Sequence, residues 1–161
     1  MATDSELRGL AERVAERMLA SQRRLVTAES CTGGWVAKVC TDLAGSSHWF
    51  ERGWVTYSND AKARDLGVST DTLKTHGAVS EPVVLEMVQG ALRVSGADLA
   101  VAVSGIAGPD GGSAEKPVGT VWLAVGRRDA GTRAELQQFC GDREMIRRLS
   151  VARALQLLLA I

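Results

Sequence analysis

Residues 27–34 read TAESCTGG, and Leu25 and Val26 lead into them as a short apolar strand. The run from 35 to 43 continues as a helix that stops near Gly45, so the stretch is a β-to-α turn. Such a turn places polar residues where a strand ends and helix amides are still unpaired. Upstream, Leu7, Leu10, Val14 and Met18 recur at spacings of three and four. That spacing predicts a helix capped by Asp4 or Ser5 and running to about Ala20. Downstream, WFERGWVTY (49–57) reads as a strand, and SNDAKARDLGV as a short helix with Ser58 or Asn59 as N-cap and Gly67 as C-cap. Ser80, Glu81 and Pro82 open another helix, whose Val84, Met87, Val88, Ala91 and Leu92 face inward. DLAVAVSG (98–105) is the near-continuous apolar run of a central strand covered on both faces. TVWLAVG (120–126) and AELQQFCG (134–141) follow as strands. Asp142 caps a closing helix with Met145, Leu149, Ala152, Leu155 and Leu159 at helical spacing. Strands separated by helices and then a late strand pair predict an α/β fold: one three-layer α/β/α domain over residues 1–161, with a mixed, mostly parallel sheet.

The bulk numbers agree with one domain, since 161 residues at 45% hydrophobic content build one sizeable core. The net charge is zero, which supplies no general attraction to nucleic acid or to an acidic membrane, so neither is expected as a partner. Cys31, Cys40 and Cys140 are odd in number and form no CxxC pair, which fits a reducing, cytoplasmic address. The charged N-terminus lacks the apolar core of a signal peptide, so no export is expected. The closing LQLLLAI is far shorter than the roughly 20 apolar residues of a membrane span.

Two glycine-rich loops fall at predicted strand ends, where open α/β sheets bind ligands. One is SCTGG at 30–34, the other SGIAGPDGGSAEKPVG at 104–119. The second is either a loose hairpin connection or a backbone cradle for a phosphate or carboxylate. GxGxxG, GxxxxGK[ST] and GxSxG are all absent. His48 and His76, the only histidines, have no metal-ligand spacing, so no zinc is predicted. What remains is a serine nucleophile without histidine. Ser30 stands at the strand tip, with the amides of Cys31, Thr32, Gly33 and Gly34 as substrate-facing donors to an oxyanion. Its base would be a lysine whose burial lowers its pKa. Lys38, Lys62, Lys74 and Lys116 are the candidates. Lys62 is favoured by its place just beyond a strand end, near Tyr57, the only tyrosine.

TAESCTGGWVAKV, GSSHWFERGWVTYSNDAK, HGAVSEPV and VSGIAGPDGGSAEKPVGTVW closely resemble the CinA C-terminal domain family, and in particular its stand-alone amidohydrolases. The match spans essentially the whole chain. The resemblance implies hydrolysis of the carboxamide of nicotinamide mononucleotide to nicotinate mononucleotide and ammonia, with no metal and no redox cofactor. It also implies Ser30 as nucleophile, Lys62 as base and Tyr57 as a supporting residue that hydrogen-bonds or shuttles protons. Longer family members carry an additional domain acting on a pyrophosphate bond. This chain opens on the amidohydrolase block, so that second activity is not expected.

Around this trio, Ser104, Gly105 and Gly111 are expected to hold the ribose phosphate or to shape the pocket. Arg143 is read either as a phosphate partner or as a solvated first-turn arginine. Asp110 either contacts ribose hydroxyls or serves as a turn residue. Glu29 orients a lysine or caps the following helix, with no preference between the two, and Cys31 packs rather than attacks. A homodimer is expected from Trp49 and Trp54 as exposed apolar candidates. The competing reading of the chain is a catalytically silent mononucleotide-binding module that controls a partner protein.

Overall fold

Strand β3 (Leu99–Gly105) is buried on both faces, and its alternation builds the molecule. Leu99, Val101 and Val103 enter one core, while Ala100 and Ala102 enter another on the opposite side. The computed structural model that shows this describes residues 2–161. β3 lies at the centre of a five-stranded sheet of order β2-β1-β3-β4-β5. The other strands of the sheet are β1 (Leu25–Glu29), β2 (Phe50–Val55), β4 (Thr120–Arg127) and β5 (Gly131–Gln138). β1 pairs parallel with both β2 and β3, whereas β4 runs antiparallel to β3 and to β5. β4 is therefore the one reversed strand, and the sheet is mixed with the predominant direction that the sequence predicts.

Helices α1 (Asp4–Ser21), α2 (Trp35–Thr41) and α6 (Arg143–Leu159) cover the face carrying the larger side chains. Helices α3 (Asn59–Leu66), α4 (Thr70–His76) and α5 (Glu81–Ser95) cover the alanine face. Small side chains there let α5 sit close to the sheet. Its fully buried Val83, Val84, Met87 and Val88 contribute about 1.5–3 kcal/mol each on removal from water. No helix among the described residues is long and apolar enough to cross a membrane.

Several local expectations shift. The cap of α1 is Thr3, not Asp4 or Ser5, because Thr3 and Glu6 satisfy each other's backbone amides in a capping box. Between α3 and α5 the chain forms one more helix, α4, which Ser69 caps by accepting from Thr72 N. β5 begins at Gly131 and ends at Gln138, its span set by pairing along β4 from Thr120 to Arg127. In α6, Met145, Leu149 and Leu159 are only half-buried. Ile146, Val151, Leu155 and Leu158 form the inner face, because α6 packs against both α1 and the sheet. Trp49 is 1% exposed and sits in the core edge-on to Phe50, while the half-buried Trp54 packs on the other core. Neither is the exposed apolar surface from which a dimer was expected.

One glycine governs how the site-bearing helix sits. A Cβ at Gly90 of α5 would meet Leu66 O of α3 at 1.9 Å. Gly90→Ala therefore pushes α3 off α5. Overpacking of this kind costs about 2 kcal/mol, a fall of roughly 4–8 °C in Tm for a chain of this size. Thermal denaturation checks it, and a Tm within one degree of the parent would contradict the close packing.

Candidate functional site

Alternation along β1 decides where its last residues go. Val26 and Ala28 face the α3–α5 layer, so Glu29 turns toward α2 and Ser30 toward α3. The fully buried Glu29 carboxylate accepts hydrogen bonds from Val36 N at 3.0 Å, Ala37 N at 2.8 Å and Thr32 Oγ1 at 2.6 Å. It closes the N-terminus of α2, whose own cap residue Gly34 offers no side chain. Of the two roles considered for Glu29, the structure displays the cap. Gly33 and Gly34 have φ of 61° and 91°, values that favour glycine and let the chain turn tightly after Ser30.

The turn is braced from α6. Arg147 donates through Nε to Cys31 O and through Nη2 to Thr32 O, both at 3.0 Å, and its guanidinium lies over the Trp35 ring. The amides of Cys31, Thr32 and Gly34 have no protein acceptor among the described residues, whereas Gly33 N donates to Ser30 O. Three of the four amides expected to face an oxyanion are thus unpaired.

Ser58 caps α3 by accepting from Ala61 N, and Gly67 closes it in the left-handed conformation, so Lys62 falls on its inner side. Lys62 is 1% exposed. Its Nζ lies 3.1 Å from Ser30 Oγ and donates to Thr56 O at 2.7 Å and, at the longer distance of 3.5 Å, toward Tyr57 O. Among the described residues no carboxylate pairs with it. Burial lowers its pKa from 10.5 to about 8, slightly opposed by the Cys31 thiol. The other lysines do not compete: Lys38 pairs with Asp42 in solvent, Lys74 is exposed, and Lys116 donates to His76 O. Burial pushes the Cys31 thiol up to about 11, which agrees with a packing role for it.

A cleft of about 300 Å³ opens over this pair. Ser30, Cys31, Tyr57, Lys62, Ser104, Gly105, Asp110, Gly111 and Arg143 all line it. Thr32, Gly33 and Gly34 lie outside the lining, Thr32 because its hydroxyl is committed to Glu29. The segment 106–119 does connect two antiparallel strands, but it is fastened: Ile106 and Gly119 bond across its neck, and Lys116 ties it to α4. Its amides at Asp110, Gly111 and Gly112 have no protein acceptor among the described residues. Arg143 spans the mouth, donating to Gly108 O at 2.7 Å and to the Tyr57 hydroxyl at 3.2 Å. The Tyr57 side chain is 60% exposed at this rim. Arg143 and Arg147 pair with no carboxylate among the described residues, which leaves Arg143 as a cation on the cleft wall and Arg147 behind the Ser30 turn.

A larger groove of about 480 Å³ between α1 and α6, lined by residues such as Leu10 and Leu149, contains no nucleophile beside a base among the described residues. Among the described residues no group of three His, Cys, Asp or Glu is placed to hold a metal ion. Arg147 escaped the sequence reading; its only signal there is its position one helical turn after Arg143.

Comparison with known proteins bears on the family of the chain. The nicotinamide-nucleotide amidohydrolase PncC of Escherichia coli (strain K12) is 61% identical over 158 residues, covering 97% of this chain and 94% of that one. The protein of the same name from Pseudomonas putida is 54% identical over 154 residues, covering 94% of each chain. The crystal structure of competence/damage inducible protein CihA from Agrobacterium tumefaciens superimposes with a TM-score of 0.94 at 47% identity, covering 96% of this chain and 94% of that one. The family profile named CinA C-terminal domain matches residues 7–161. On the profile, the relatives and the shared fold, the chain belongs to the CinA C-terminal domain family.

Proposed function

We propose that the protein hydrolyses the carboxamide of nicotinamide mononucleotide to nicotinate mononucleotide and ammonia, with Ser30 as nucleophile and Lys62 as base. The observation that carries the proposal is the 3.1 Å contact between Lys62 Nζ and Ser30 Oγ inside the cleft. The names of the relatives supply the substrate.

A neutral lysine amine has two N–H groups and one lone pair. Thr56 O and Tyr57 O stand where the two N–H groups would be used, which turns the lone pair toward the Ser30 hydroxyl. Ser30 then donates its proton to Lys62 as Oγ attacks the amide carbon. The resulting oxyanion is met by the unpaired amides after Ser30. Collapse breaks the C–N bond, and Lys62 returns the proton to the departing nitrogen, which leaves as ammonia. Water, deprotonated in turn by Lys62, attacks the acyl ester and frees the acid and Ser30. Arg143 and the amides of Asp110, Gly111 and Gly112 suit the phosphate, and the Tyr57 O–H is available to a substrate oxygen at the mouth. Two buried and one exposed free thiol suit work in the reducing cytoplasm.

The test is ammonia release from nicotinamide mononucleotide by the wild type, with and without EDTA, beside Ser30→Ala. Release is expected to ignore EDTA and to fall about 10⁴-fold in the variant at unchanged Tm. A folded wild type that binds the nucleotide without releasing ammonia would replace this proposal with the silent binding module.

A further inference from the structure

We infer that Ser104 reads the amide nitrogen of the substrate, because its hydroxyl is spent as a donor on Ala78 O and it stands beside Ser30 on the adjoining parallel strand. The inference rests on the function proposed above and adds the means by which the site tells an amide from the acid it becomes.

The placement follows from strand register. Glu29 pairs with Val103, and Ser30 N donates to Val103 O at 2.9 Å, so Ser30 and Ser104 occupy the next matched positions. Neighbouring strands run about 4.8 Å apart. Alternation turns both side chains to the α3–α5 face, since Ala28 and Ala102 already point there. Ser104 is 1% exposed and lines the cleft. A carboxamide attached at its carbon to Ser30 Oγ therefore brings one of its two heteroatoms toward Ser104.

Which heteroatom that is depends on the serine's one proton. Ser104 Oγ donates to Ala78 O at 2.8 Å. That carbonyl accepts no other hydrogen bond among the described residues. Turning the hydroxyl away would leave it unpaired in the cleft wall. With the proton committed, only oxygen lone pairs face the substrate. An amide NH₂ is a double donor and meets them well, while its carbonyl oxygen is steered to the unpaired amide of Cys31, which lines the cleft. The product carboxylate has acceptors alone and finds no donor at Ser104. Ser104 thus sets the orientation of the amide before attack and weakens the hold on the product afterwards. A serine that merely shaped the pocket would affect amide and acid alike.

The experiment uses the full chain carrying Ser30→Ala, which binds without turnover, and compares its affinity for nicotinamide mononucleotide and nicotinate mononucleotide. Preference for the amide by about tenfold, the scale of one hydrogen bond, is expected, and it should vanish when Ser104→Ala is added. Alongside, Ser104→Ala alone should lower kcat/KM for the nucleotide amide about tenfold and change hydrolysis of the corresponding methyl ester, which has no N–H to offer, by less than about threefold. Equal affinity for amide and acid in the Ser30→Ala protein, or a parallel loss on amide and ester, would overturn the assignment. If the wild type releases no ammonia, the proposed function fails, yet the two affinities still decide the role of Ser104.

Discussion

Lys62→Met is expected to lower kcat for the nucleotide amide by about 10³-fold or more, the scale of losing a positioned general base. The unbranched apolar side chain, one atom shorter than that of lysine, fills most of the same buried space, so the fold persists and the loss is chemical. The pH dependence carries the sharper signature. Burial sets the Lys62 pKa to about 8 in the folded protein against an ordinary 10.5. Only the neutral amine accepts the Ser30 proton, so activity rises with pH through about 8 and levels off above it. The same shift acts on stability. Because the folded pKa is the lower one, the unfolded chain binds more protons between about pH 8 and 10.5, and stability from this group rises with pH through that window. Lys62→Met removes both slopes. A variant that keeps a tenth of the wild-type kcat, or a wild-type rate flat from pH 7 to 9, would show that Lys62 is not the base.

Glu29→Ala is expected to cost about 3 kcal/mol, since it strands two backbone amides and the Thr32 hydroxyl inside the protein. For a chain of this size that is a fall of roughly 10 °C in Tm. Glu29→Gln keeps an acceptor and is expected to lose less. The effect reaches the site because α2 begins where the Ser30 turn ends, and the turn's unpaired amides owe their direction to that junction. Thermal denaturation of both variants, with ammonia release at a temperature where each is folded, separates the structural cost from the catalytic one. A Glu29→Ala protein melting within two degrees of the wild type would mean that α2 does not depend on this cap.

Some features of the site were legible because they are local. Ser58 and Gly67 bracket α3 in the sequence as they do in space, and that bracket fixes Lys62 on the helix. The role of Glu29 was legible in principle, since a period of two sends consecutive residues to opposite faces and so separates Glu29 from Ser30. The inner face of α6 departs from simple helical spacing, which assumes one buried stripe, because α6 is buried against α1 and the sheet together. The burial of Trp49 is not legible locally, because it depends on the chain before β2 joining residues of α1 and α2 in one core. Family resemblance pointed to Tyr57, but only the docking of α6 brings Arg143 onto its hydroxyl at the rim.

The sequence by itself determined the layer order, the β1–α2 turn with Ser30 at its tip, and the glycine-rich segment after the central strand. These depend on periodicity, caps and φ, which are properties of neighbours along the chain. Only the tertiary structure decided which lysine is buried, since Lys62 differs from Lys38, Lys74 and Lys116 in what packs over it rather than in its local sequence. Tertiary structure also decided that Arg147 braces the nucleophile turn and that Ser104 stands beside Ser30. Desolvation and strand register are set by residues far away in sequence, so the chemistry of the cleft exists only once the sheet has assembled.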